Sequence, residues 1–349
     1  QGRRGQGLCV VRDAVCPLNL SRGVCWKGTR RASGVSGFRQ QLGDMHWTPS
    51  FSLKALAAAV MFVAVGAWLS LPTSANKVPD FDVSAKKHAP VISPTLPATL
   101  TLFEEPVPLE SFGVREALDL ELVVNTYRHS STILYLKRAS RWFPVIEPIL
   151  EEEGVPSDFK YLAVIESGLS QVVSPAGASG FWQFMKKTAP EYGLEVSATV
   201  DERYDVEKAT RAACAYLKDA HARFGSWVLA AASYNMGPTG VANALESQHV
   251  STYWDLHLNA ETARYVYRLL ALREVMEQPE AYGFQLGRGD VYEPLQGQAI
   301  EVTTSVEDLA SFALDHGTTL RELKAFNPWL RDDRLEVGAG KSYLIQIPS

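Results

Sequence analysis

From Val114 to about residue 283, apolar positions recur at helical spacing. Leu118, Leu122 and Val123 form one face, and a second helical segment covers about 131–140. Pro144 suits the first turn of a third, which passes through Ile146, Ile149 and Leu150 to Gly154 as its C-cap. Pro148 removes a backbone bond near that turn and predicts a kink or a delayed start. Ser157 or Asp158 caps the next helix, whose stripe of Phe159, Leu162, Ala163 and Glu166 has one polar member. Asp205 caps a long helix ended by Gly225. Ser226 caps another, with Trp227, Ala230, Ala231 and Tyr234 on one face, which stops at Asn235, Gly237 and Pro238. Further helices follow at about 239–247 and 261–276. Beyond Gly283 the period changes: Ile300 starts a strand, two short helices occupy about 306–315 and 319–326, and residues 343–348 form a closing strand. The pattern predicts a mainly α fold, with an all-α domain at 111–284 and a small α/β module at 297–349.

The first third of the chain reads differently. Residues 76–110 hold six prolines among Ser, Thr and Lys and predict an extended tether. Residues 45–75 contain the apolar run 55–71, then Pro72 and small residues to Ala75, the pattern of an export signal or an uncleaved anchor. Seventeen residues is at the short edge of what crosses a hydrocarbon core of ~30 Å, which favours cleavage after Ala75. No cysteine follows the run in the position of a lipoprotein signal. Residues 1–44 precede the first methionine, Met45, and lack periodicity; they read as an upstream over-extension of the frame or a disordered basic arm.

Charge sharpens this division. Residues 1–44 carry eight Arg or Lys against Asp13 and Asp44, a net +6, so the formal −5 of the whole leaves −11 on the rest. That balance argues against nucleic acid as a partner. Cys9, Cys16 and Cys25 lie in the basic segment, and only Cys214 lies beyond it, so the exported part has no possible internal disulfide. The histidines are scattered without ligand spacing, and neither a metal site nor a cofactor is expected. Gly338, Gly340 and Lys341 resemble the end of a phosphate loop, but the required first glycine is replaced by Leu335; a turn before the last strand is the simpler reading.

The chemistry centres on Glu166. A carboxyl on an apolar helix face, away from counter-charges, has its acid form favoured by desolvation and can act as a general acid. The bland alternative is a buried tie to a backbone N–H or an arginine. Gly177 and Gly180 allow close backbone approach, and Ser174, Ser179 and Gln183 supply neutral hydrogen-bonding groups suited to a hydroxyl-rich ligand. Phe181, Trp182, Tyr234 and Tyr265 offer flat faces for sugar rings or for core packing. Tyr234 and Asn235, at a helix end, are expected beside a cleft, since both are costly to bury unpaired. Asp201, Glu202 and Asp205 could supply a second carboxylate, although capping and pairing suit them better.

The order Glu166-Ser167, Gly180-Phe181-Trp182-Gln183, Ser233-Tyr234-Asn235 and Tyr265 resembles the lytic transglycosylases of the soluble-lytic type. The likeness extends from about Leu109 through Phe284 and includes Asp201-Glu202-Arg203. It departs from the family pattern at Phe181-Trp182 and at Ser233.

The resemblance implies a lysozyme-like domain at 111–284 that cuts the β-1,4 bond between N-acetylmuramic acid and N-acetylglucosamine in peptidoglycan, leaving 1,6-anhydro ends. Glu166 would be the one catalytic carboxylate, acid and then base. Ser174 and Gln183 would bond the sugar, Tyr234 and Asn235 would line the cleft, and Tyr265 would orient Glu166. The location implied is the periplasm of a Gram-negative-type bacterium, with the membrane met only through the N-terminal segment. Residues 297–349 resemble a LysM module through Thr319 to Pro328 and the closing strand, but residues 304–309 replace the usual entry, so the module reads as degenerate. The alternative function is a peptidoglycan-binding protein without catalysis.

Overall fold

The computed structural model describes residues 91–349. The expectations for 1–44, for 45–75 and for the first part of the tether lie outside the described residues. Among the described residues, no helix is long and apolar enough to cross a membrane.

A two-stranded hairpin, β1 (Thr101–Leu102) and β2 (Glu105–Pro106), leads into α1 (Phe112–Tyr127) and α2 (His129–Glu152). A short 3-10 turn, Ser157–Phe159, opens α3 (Lys160–Ser167), and a long irregular segment follows. Then come α4 (Val206–Phe224), α5 (Trp227–Met236), α6 (Pro238–Gln248) and α7 (Ala260–Glu277). The α7 helix packs on α1, α3 and α5, and α4 packs on α2 and α5. Leu118, Leu122, Ile146, Leu150, Leu162, Leu217, Val266 and Leu269 are among the apolar residues closing the core. This is the mainly helical domain that the periodicity predicts, and its caps follow local chemistry. Asp205 accepts from Lys208 N and Ser226 Oγ from Leu229 N, while Gly225 ends α4 at φ 67°.

Several expectations need correction. The segments expected at 131–140 and from Pro144 are one helix of 24 residues with both prolines inside it. Burial of Thr132 and Ala139 before Pro144, and of Ile146, Ile149 and Leu150 after it, ties both halves to one core, outweighing the ~3 kcal/mol that an interior proline costs. Gly154 lies just beyond its end, at φ 67°. Neither Ser157 nor Asp158 caps α3; Asp158 instead accepts from Phe103 N and pairs with Arg273 at 3.1 Å.

The tether expected to reach residue 110 ends sooner. Leu102, Phe103, Val107 and Leu109 are buried in the core, and the Phe103 ring stacks on Phe159 at 4.0 Å. Glu105 reaches the start of α5, accepting from Ser226 Oγ at 2.7 Å and Trp227 N at 2.5 Å. Prolines exclude helix from this segment without excluding burial.

The C-terminal module pairs β3 (Gly297–Val302) antiparallel with β4 (Tyr343–Pro348), from Gly297 opposite Pro348 to Val302 opposite Tyr343. Tyr343, Ile345 and Ile347 face inward, as strand alternation requires. Against them lie α8 (Leu309–Asp315) and α9 (Leu320–Phe326), the latter opened by a capping box of Thr319 and Glu322. Buried Asn327 joins α9 to β4, donating to Gln346 O at 2.6 Å and accepting from Gln346 N at 2.7 Å. Gly338 to Lys341 form the expected turn.

Candidate active site

The α3 helix is short because Gly168 ends it in the left-handed conformation at φ 60°, after which Leu169 continues at φ 53°. A side chain at 168 would collide with Tyr135 of α2, whose neighbour Arg138 donates to Gly168 O at 2.9 Å. This clamp fixes the last turn of α3, which carries Glu166.

Glu166 is 2% exposed. Its Oε1 accepts from the Tyr265 hydroxyl of α7, and its Oε2 is buried with no partner. Burial pushes the carboxyl up to about 7; the Tyr265 hydrogen bond and the Arg268 charge pull the other way, and Glu261 adds to the rise. Burial outweighs both because one neutral donor replaces a full hydration shell. Burial also raises the Tyr265 hydroxyl well above its ordinary range, with the Glu166 charge in the same direction, so the phenol stays a donor. A carboxyl with this environment holds a proton near neutrality and can release it to a basic atom that reaches Oε2.

The segment 172–184 lies beside α3 in sequence and folds as a knot of turns. Ser174 Oγ accepts from Ala178 N at 3.0 Å, and Ser174 N donates to Ala178 O at 2.8 Å. Gln183, at φ 49°, spends its amide donor on Gly180 O at 2.7 Å and Val172 O at 3.1 Å, leaving a buried Oε1 without a partner. The glycines serve this knot differently from the expectation. A Cβ on Gly180 would sit 1.8 Å from Arg203 O, so the close approach there is to the protein's own backbone; at Gly177 there is open space but φ is 88°.

Tyr234 and Asn235 do not stand exposed beside a cleft. Tyr234 is fully buried and donates to Trp182 O at 2.8 Å. Asn235 Oδ1 accepts from Thr262 Oγ1 at 2.8 Å, and Thr262 lies in the first turn of α7. Both find internal partners, so neither carries the cost of an unpaired buried group. Phe181 and Trp182 are core, the Trp182 indole donating to Thr210 Oγ1 at 2.9 Å.

The acidic cluster is structural. Asp201 pairs with Arg203 through two hydrogen bonds of 2.9 and 2.7 Å, Glu202 pairs with Lys208 at 2.5 Å, and Asp205 caps α4. Arg203 is the participant whose role the sequence left unread. Its Nη1 donates to Gly177 O at 3.0 Å and Phe184 O at 3.1 Å. Its only sequence signal is the run Asp201-Glu202-Arg203.

Comparison with known proteins finds two family models that match parts of the chain. Residues 144–256 match the transglycosylase SLT domain, and residues 298–349 match the soluble lytic transglycosylase C-terminal LysM-like domain. Membrane-bound lytic murein transglycosylase D from Escherichia coli strain K12 is 28% identical over 245 residues, which is 68% of this chain and 52% of that protein. The same figures hold for its counterpart from E. coli O6:H1. The chain thus spans about half the length of these curated relatives. An X-ray structure of an inactive mutant of the lytic transglycosylase Slt from Pseudomonas aeruginosa aligns with a TM-score of 0.34 at 24% identity, over 43% of this chain and 26% of that one.

Proposed function

We propose that this chain, in which residues 144–256 match the transglycosylase SLT domain and residues 298–349 the LysM-like domain of the soluble lytic transglycosylases, is an exported lytic transglycosylase. It cleaves peptidoglycan between N-acetylmuramic acid and N-acetylglucosamine without water, in the periplasm. The carrying observation is Glu166: a carboxyl held near pKa 7 by burial, one oxygen on Tyr265 and the other free of any protein partner.

Glu166, as the acid, gives its proton from Oε2 to the glycosidic oxygen. The C1–O bond of the muramic residue breaks, and the oxygen leaves as the 4-hydroxyl of N-acetylglucosamine. The substrate's own acetamido oxygen closes on C1 and carries the positive charge, so no second carboxylate is required, in contrast to the usual pair. Glu166, now the anion, takes the proton of the muramic C6 hydroxyl as that oxygen attacks C1 and displaces the acetamido oxygen. The product is a 1,6-anhydro ring, and Glu166 is an acid again. A pKa near 7 suits a group that must both give and take a proton in one cycle.

Tyr265 orients the carboxyl by fixing Oε1. Gln183 Oε1 and the Ser174 hydroxyl proton are the groups left to meet sugar hydroxyls, whereas Tyr234 and Asn235 support the site from behind. Reaction in ¹⁸O-labelled water tests the chemistry: the products carry no label, and label at the new muramic end would make the protein a hydrolase.

A further inference from the structure

Between the Gln183 knot and α4, residues 195–202 fold back on themselves as a small hairpin. Ser197 N donates to Val200 O at 2.7 Å, Glu202 N donates to Glu195 O at 2.8 Å, and Val196 bridges Asp201. The two ends of this hairpin do different things.

Its tip belongs to the C-terminal module. Val200 is 0% exposed and sits in the module's own apolar cluster with Leu309, Leu330, Leu335 and Ile345. Backbone bonds run across the junction, from Asp201 N to Trp329 O at 2.9 Å and from Arg331 N to Thr199 O at 2.9 Å. Glu195 meets Lys341 Nζ at 2.8 Å and the Tyr343 hydroxyl at 3.1 Å, and the Arg331 guanidinium lies 4.0 Å above the Tyr204 ring. A module that only tethered glycan would not need an apolar residue of the other domain to complete its core.

The base of the hairpin belongs to the site. Arg203 is held by Asp201 and grips the knot at Gly177 O and Phe184 O. Tyr204 O accepts from Gln171 Nε2 at 2.8 Å, one residue before Val172, which itself accepts from Gln183. The Arg203 carbonyl lies where a Gly180 side chain would be. A displacement of Asp201 is therefore passed through Arg203 to the loop bearing Ser174 and Gln183, since every link is a direct bond.

We propose that the LysM-like module is a brace for the glutamate site: by taking Val200 into its core it holds Asp201 and Arg203, and Arg203 is a positioning residue for the 174–184 loop. The inference rests on the transglycosylase reading for its kinetic test, and a second readout is independent of activity.

The test uses the full chain. Val200→Asp puts a carboxylate into the module's core and opens the junction, while Arg331→Ala with Lys341→Glu loosens it from the exposed side. Soluble uncross-linked glycan strands are the substrate, and hydrogen exchange is followed in peptides covering 197–203 and 174–184. The expected result is faster exchange in both peptides, with kcat lower by about tenfold and KM within about twofold, as a misplaced reacting group predicts. Should Val200→Asp fail to fold, the double variant decides. Faster exchange at 197–203 with unchanged exchange at 174–184 overturns the proposal, whether or not the protein cleaves glycan. So does a rise in KM at unchanged kcat, which would make the module a glycan grip. A wild-type protein that releases no anhydro product, with the exchange coupling intact, overturns only the assigned activity.

Discussion

Replacing Glu166 by glutamine should make the protein more stable above neutral pH, by an amount set by the burial of the site. Below pH 4.5, the ordinary value for a glutamate, the carboxyl is neutral in folded and unfolded chains alike. Between 4.5 and about 7 the unfolded chain gives up its proton while the folded chain keeps it, so stability falls as pH rises through that window. The interval, at 1.36 kcal/mol per pH unit, amounts to about 3 kcal/mol lost by pH 8. Glutamine has no such window, and its carbonyl can still accept from Tyr265. Thermal unfolding of the wild type and Glu166→Gln at pH 4 and pH 8 measures the difference. The two proteins should unfold within a few degrees of each other at pH 4, and the variant should unfold roughly 6–12 °C higher at pH 8. An equal offset at both pH values, or a less stable variant at pH 8, would refute the claim that Glu166 is held as an acid by desolvation.

The hydroxyl of Tyr265 favours the carboxylate, so Tyr265→Phe should move the alkaline limb of the pH–rate profile up by about one unit, the size of a hydrogen bond to a charged group; a limb that stays or falls contradicts the orienting contact. Gly180→Ala should cost far more stability than Gly177→Ala, because the first meets Arg203 O at 1.8 Å and the second has only its φ of 88° to resist, about 1–2 kcal/mol. Denaturation midpoints of the two variants give the comparison. Glu105→Ala should lower the melting temperature by several degrees, through loss of about 1–2 kcal/mol of charged capping at the start of α5; an unchanged midpoint would mean that the hairpin is not docked there.

The parts of this molecule that could be read from the chain are those decided within a few residues. Asp205, Ser226 and Gly225 act on their own helix ends, and the alternation of residues 343–348 needs only a neighbouring strand. Glu166 stood out because one acid interrupts an apolar stripe. What escaped is decided at long range. Asp158 is drawn from capping by Phe103 and Arg273, at separations of 55 and 115 residues. Pro144 sits inside a helix because the core holds both halves. Tyr234 reads as a cleft residue in the sequence because its partner, the carbonyl of Trp182, is a backbone atom that no side-chain pattern announces. Arg203 joins two segments and a second module at once, and a sequence pattern records only its identity.

In the proposed lytic cleavage one carboxyl, Glu166, performs both proton transfers. The direct measurement is the mass of the muropeptides released from purified sacculi by the full chain and by Glu166→Gln. The expected result is 1,6-anhydro-muramic ends from the wild type and no soluble product from the variant. Reducing ends carrying one added water, or anhydro ends that persist in Glu166→Gln, would contradict it.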